Sequence, residues 1–184
     1  ILVQDKGAAV GIGIFVVLIL LALLAPVLAT HEPFAVIEED GIWLSNERPS
    51  DRFLLGTTNL GRDIYSQLIY GSRSALLVGF SAALAVAVLG TVIGLLAGYF
   101  RGPVDTIFMR LADVAFGIPF LPFVILLAAF MEPSIWNVVL AMALLLWRDT
   151  ARVIRSQALV LREQAYVRAA RASGASHLRI LLTH

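Results

Sequence analysis

Few side chains in this sequence have the type and spacing that chemistry at a site requires. Lys6 is the only lysine and Gly7 follows it, so no Gly-Lys-Ser/Thr phosphate loop exists in the chain. If nucleotide drives this protein, another subunit binds it. The absence of cysteine excludes disulfide, zinc-thiolate and iron-sulfur scaffolds. His31, His177 and His184 lack metal-ligand spacing, so neither a metal nor a catalytic residue is assigned. What remains is charge in apolar surroundings. Asp113 stands three residues after Arg110 at the start of an apolar run, where an ionisable group is costly unless it is paired or faces water. It reads as an ion pair with Arg110 at the membrane margin, with a transport-path carboxylate as the alternative. Arg148, Arg152 and Arg155 share one helix face after a short apolar run. They read as a stripe half turned to solvent, and the sharper alternative has Arg148 or Asp149 lining the vestibule of a path.

The elements that must position these charges follow from composition. Of 184 residues, 59% are hydrophobic and 15% charged, against about 45 to 50% and about 25% in an average soluble domain. Lipid must therefore be the solvent for much of the surface. The net charge of +1 argues against a nucleic-acid binder, which carries a concentrated basic field. Runs 8–28, 75–100 and 111–131 reach the length of about 20 residues that a membrane-crossing helix needs. The first also resembles a secretory leader, with Lys6 before it and Val27-Leu28-Ala29 after it, but its apolar stretch is longer than the usual 7 to 15 residues or so. It is kept as an anchor. A fourth run, 135–147, rises only about 20 Å, and the simplest extension is one helix from a Ser134 N-cap to about Leu161.

Four spans with alternating sides put residues 1–7, 101–113 and 148–184 on one face, with ten Lys/Arg and five Asp/Glu. The other face holds four Arg and eight Asp/Glu. The basic face is then cytoplasmic, with the N-terminus on that side. Gly90, Gly94 and Gly98 form two overlapping G-x-x-x-G repeats that admit another helix backbone. Pro119 and Pro122 each remove a backbone donor, so the third span is expected to kink or break near mid-length. Residues 162–182 read as an Ala-rich helix, a Gly174 stop, a Ser176 restart and a second amphipathic turn. Ala165, Ala169 and Ala172 give the first of these a face almost without bulk, suited to another protein's groove, and an amphipathic helix on the lipid surface is the competing account.

The run Tyr166-Val-Arg-Ala-Ala-Arg-Ala-Ser-Gly174 resembles the E-A-A-x-x-x-G loop of permease subunits in binding-protein-dependent ABC importers, the loop that docks onto the ATPase. Leu55-Gly-Thr-Thr-Asn-Leu-Gly-Arg-Asp63 is similar to the L-G-T-D-x-x-G-R-D signature of the dipeptide, oligopeptide and nickel permeases, particularly the shorter of their two paired permeases. Arg168 stands where the family usually has Glu, and Thr58 where it usually has Asp. Gly98-Tyr99-Phe100, Met109-Arg110-Leu111-Ala112-Asp113 and the Pro119 kink add to the resemblance, which covers 51–184.

The resemblance implies an all-α membrane protein, a helical-bundle importer permease with four of an expected six transmembrane helices in this chain. Residues 1–29 are a tail and first span, 30–74 an extracytoplasmic loop with an amphipathic segment, 75–161 spans two to four, and 162–184 the coupling-helix region. Tyr166, Arg168, Ala169, Ala170 and Gly174 carry ATPase coupling; Asp113, Pro119, Arg148 and Asp149 belong to the path or vestibule. Gly56, Thr57, Gly61, Arg62 and Asp63 form the extracytoplasmic signature. The implied setting is a prokaryotic inner membrane. The implied partners are a homologous second permease, two ATPase subunits that hold ATP and Mg, an extracytoplasmic substrate-binding protein and the bilayer, with no nucleic acid and no cofactor in this chain. The expected cargo is peptides or similar small solutes, with nickel or glutathione as alternatives. A secondary transporter or channel using Asp113 and Arg148, and an anchor subunit that transports nothing, are the other classes. Only an ATPase-coupled permease needs the Ala-Ala-x-x-x-Gly element.

Overall fold

The computed structural model describes residues 6–183. The tail 1–5 and His184 fall outside the described residues. The chain divides into two compact units, Ile1–Leu77 and Val78–His184.

In the first unit, α1 (Lys6–Leu28) coincides with the first apolar run, and most of its side chains are exposed, as lipid solvation demands. A loop follows that contains a small hairpin, β1 (Glu38–Glu39) paired antiparallel with β2 (Ile42–Trp43). Its two-residue turn has Asp40 at φ 53° and Gly41 at φ 75°, the doubly left-handed geometry that matches strand twist. Helix α2 (Ile64–Phe100) then begins well before the run that starts at residue 75. The amphipathic segment expected within 30–74 is thus helical, and it runs without a break into the apolar run. At 37 residues the helix is about 55 Å long, nearly twice the hydrocarbon thickness.

The second unit holds the remainder of α2 with α3 (Gly102–Gly117), α4 (Phe120–Phe130), α5 (Ile135–Arg162), α6 (Ala165–Ala172) and α7 (His177–Thr183). The expected third span is two helices bent by 87° at the Ile118-Pro119 junction, a break where a mild kink would also have met the expectation. Ser134 caps α5, its hydroxyl accepting from Trp136 N at 3.2 Å, and the helix runs to Arg162 as the uncapped sequence between implied. By length and composition α1 and α2 suffice to cross a membrane, and α3 with α4 makes a third crossing if taken as one span. Helix α5 packs on both α3 and α4, with Val139, Ala141, Ala143, Leu145, Trp147, Ala151 and Ala158 buried.

Candidate functional site

The segment 162–182 is built as its sequence implies. Gly174 takes φ 81°; its N–H reaches Arg171 O at 3.0 Å and Ala175 N reaches Ala170 O at 3.1 Å. Those two bonds are the Schellman closure of α6, which requires a left-handed residue at this position. Ser176 then opens α7, its hydroxyl accepting from Arg179 N at 3.3 Å. Tyr166, Arg168, Ala169 and Ala172 are exposed and Ala170 is partly so, while Val167 is buried.

What holds this knuckle lies outside the motif. Val167 and Ile180 pack with Tyr99, from the last turn of α2, in one buried cluster, and Ala175 and Leu181 lie against it. The Tyr99 hydroxyl and His177 Nδ1 are hydrogen-bonded at 2.8 Å. Arg162 donates to the Tyr99 carbonyl, and the Arg171 guanidinium lies 5.4 Å from the Tyr99 ring centroid. Arg101, next after α2, pairs with Glu163 at 2.9 Å. Two helices of eight and seven residues, too short to stand alone in water, are thus fastened at several points to α2 and α5.

The glycine face also lies where its spacing put it. A Cβ on Gly90 would come within 2.5 Å of Thr150 Cβ, one on Gly94 within 2.6 Å of Ala151 O, and one on Gly98 within 2.6 Å of Ala158 Cβ. Helix α5 is therefore the partner that these three glycines admit.

The charged stripe is different from its expected arrangement. Asp113 stands 3.8 Å from Arg110 Nη1, but its close partner is Arg152, whose Nη2 donates to Oδ1 at 2.6 Å. Arg155 grips Asp105 with two bonds, Nε to Oδ1 at 2.5 Å and Nη2 to Oδ2 at 2.6 Å. Arg148 donates to the Ala115 carbonyl, and its side chain is only 13% exposed. The stripe on α5 is therefore a ladder onto α3 that stays half turned to solvent, with the Arg152 side chain 47% and the Arg155 side chain 32% exposed. Asp149 remains largely exposed. The Arg148 and Arg152 guanidinium groups lie over the Phe116 ring, 4.3 and 4.0 Å from its centroid, so one aromatic ring serves both cations.

In the first unit the Leu55–Asp63 signature closes on itself. Gly56 and Gly61 are left-handed, and a Cβ on Gly56 would collide with the Glu47 carbonyl. Thr57 accepts from Glu47 N at 2.9 Å and donates to the Leu44 carbonyl. Thr58 accepts from Leu60 N and Arg62 N, both at 3.2 Å, so a hydroxyl makes the local turn bonds open to a carboxylate. Asp63 is the N-cap of α2. Its Oδ2 accepts from Ser66 N at 2.9 Å, the Ser66 hydroxyl at 2.5 Å and the Thr30 hydroxyl at 3.1 Å. Burial pushes this carboxyl up, but the Ser66 and Thr30 hydrogen bonds and the nearby His31 outweigh it and hold the group below the ordinary aspartate range.

Asp105 and His177 carry no sequence signal for these contacts, and Tyr99 only the Gly98-Tyr99-Phe100 match, because the partners are far apart in the chain, 78 residues for Tyr99 and His177. Arg152 and Arg155 stood out as part of the stripe, but without Asp113 and Asp105 as their partners. Among the described residues no group of His, Cys, Asp or Glu is arranged to hold a metal ion.

Comparison with known proteins follows the same lines. The family described as binding-protein-dependent transport system inner membrane component matches residues 90–184, and the N-terminal TM domain of oligopeptide transport permease C matches residues 1–49. Among curated relatives, the dipeptide transport system permease protein DppC of Bacillus subtilis is 34% identical over 97% of this chain and 54% of its own length. The glutathione transport system permease protein GsiD of Pectobacterium atrosepticum is 37% identical over 97% of this chain and 59% of its own. For the oligopeptide transport system permease protein OppC of Bacillus subtilis the figures are 33%, 98% and 58%. The chain thus spans little more than half the length of these relatives. The match over 90–184 takes in α3 to α7, the ladder and the whole knuckle, and the chain belongs to the family of binding-protein-dependent transport system inner membrane components.

Proposed function

We propose that this chain is the permease subunit of an ATP-driven importer, forming half of the translocation path for peptides or similar small solutes. The exposed face of α6, with Tyr166, Arg168, Ala169, Ala170 and Gly174, docks onto a separate ATPase. The observation that carries the reading is the contrast within this helix. Its alanine-rich motif face is bare and outward, while Val167 behind it is buried against Tyr99 and Ile180. A knuckle fastened so firmly transmits movement of its outer face to α2 and α5. ATP and Mg belong to the two ATPase subunits, and substrate arrives on an extracytoplasmic binding protein. A related second permease completes the path, with Asp113 and Asp149 at its cytoplasmic margin and Gly56, Thr57, Gly61, Arg62 and Asp63 on the outer side. The N-terminus faces the cytoplasm of a prokaryotic cell. Relatives named for dipeptides, oligopeptides and glutathione support small peptidic cargo.

Gly174→Val tests the reading. Nothing stands within 4 Å of a Cβ there, so the substitution acts through φ 81° alone, a strain of about 1 to 3 kcal/mol for a β-branched residue. Uptake into vesicles should collapse while membrane abundance stays near normal and ATPase stimulation by the loaded binding protein weakens. Normal uptake at normal abundance would make α6 a lipid-surface helix instead.

A further inference from the structure

The break between α3 and α4 leaves a precise vacancy in hydrogen bonding. In a continuous helix the carbonyl of residue 115 accepts from the N–H of residue 119. Residue 119 is proline, which has no N–H. Ala115 is buried, and in apolar surroundings an unsatisfied carbonyl is costly, so something must replace the lost donor. The group that does so is Arg148 of α5, whose Nη1 donates to the Ala115 carbonyl. Two further features suit a cation at that spot. The C-terminal end of α3 concentrates partial negative charge, and the Phe116 ring offers its face to the same guanidinium at 4.3 Å.

We propose that Arg148 is the positioning residue of the α3–α4 elbow: it supplies the donor that Pro119 removes, and by satisfying Ala115 from α5 it holds the 87° bend that sets the direction of α4. This assigns Arg148 a task other than lining a vestibule. It also accounts for an arginine at the end of an apolar run, since Ala115 O needs a donor there. The consequence for transport rests on the permease reading above; the elbow itself does not.

The test uses the assembled, otherwise cysteine-free transporter in bilayers, with spin labels on Ile107→Cys in α3 and Leu126→Cys in α4, two exposed positions. Arg148→Leu should shift or broaden the label distance and lower uptake by about tenfold, the scale expected for stranding a buried acceptor. Pro119→Ala supplies an N–H that the Ala115 carbonyl can take once Ile118, extended here at ψ 118°, turns helical. In that background, replacing Arg148 by Leu should change neither readout by more than about twofold, because the acceptor no longer depends on it. A structural arginine unrelated to the proline would cost the same in both backgrounds, and that result overturns the proposal. So does an unchanged distance in Arg148→Leu. If Arg148→Leu fails to assemble, recovered complex becomes the readout: the double variant must recover, and its failure to do so counts against the proposal. The label distance is read without substrate, so an unsubstituted transporter that imports no peptide refutes the permease reading and leaves the elbow measurable.

Discussion

The two signatures that carry the family resemblance have opposite physical characters. In the loop motif, Gly56, Thr57, Gly61 and Asp63 are all buried, and its polar atoms bond to the loop and to the first turn of α2. In the knuckle motif, Tyr166, Arg168, Ala169 and Gly174 are exposed, and the residues that fasten it, Tyr99, Ile180, His177 and Arg162, stand elsewhere in the chain. One motif is turned inward and shapes its own segment. The other is turned outward and is supported from behind. A match in sequence reports both with equal force, and only burial tells that substitutions in the first should lose folded protein while substitutions in the second lose function with the protein intact.

The largest expected effect lies on the inward side. Gly56→Ala puts a Cβ into the Glu47 carbonyl at a backbone φ of 78°, and neither the clash nor the left-handed strain has a flexible side chain to absorb it. Recovered transporter should fall at least about tenfold, a loss of some 1.4 kcal/mol or more. Immunoblotting of membranes beside the unsubstituted protein checks it. Normal abundance would break the comparison at its root.

A smaller effect is expected from the support behind the outward motif. Tyr99→Phe keeps the ring between Val167 and Ile180 but removes the hydroxyl bonded to His177, a loss of about 1 kcal/mol. Abundance should stay unchanged and substrate moved per ATP should fall several-fold. Paired uptake and ATPase assays measure that ratio. An unchanged ratio would show that the apolar cluster alone holds the knuckle.

Much of the fold was legible in the sequence, this contrast was not, and what was missed has a common cause. Local rules sufficed where one residue decides a local geometry: Ser134 at the start of α5, Gly174 at the end of α6, the proline at the elbow, the glycines at close approach. The Asp40-Gly41 dipeptide also carried a local hairpin signal that went unread. The extension of α2 through 65–74 was hidden because Ser66, Gly71 and Ser72 interrupt any apolar run, and its start depends on the Asp63 cap meeting Thr30, a contact 33 residues apart. Partner choice among charges was not legible at all. Arg110 is the neighbour of Asp113 by sequence, but Arg152 reaches it from a helix whose register against α3 is set by packing.

The smallest expected effect concerns acid. Asp63 has a folded pKa below its ordinary value, so its stabilising contribution is fully present above the unfolded pKa of about 4 and is lost as pH falls through the folded value. Protease sensitivity of the loop should therefore rise only below about pH 4. Asp63→Asn keeps the shape without the titrating charge and should flatten that rise. An equally steep rise in the Asn variant would assign it to other carboxylates and remove Asp63 from the account of the inward motif.

The central claim is that the outward face of α6 meets an ATPase. In a transporter whose other cysteines have been replaced, Ala169→Cys offers a single attachment point for a photoreactive thiol reagent in membranes of cells expressing the full complex. Cross-linked products identified by mass spectrometry should contain an ATPase subunit as the main protein partner, and loaded binding protein with ATP should change the yield. Adducts to lipid alone, with no ATPase in them, would contradict the claim.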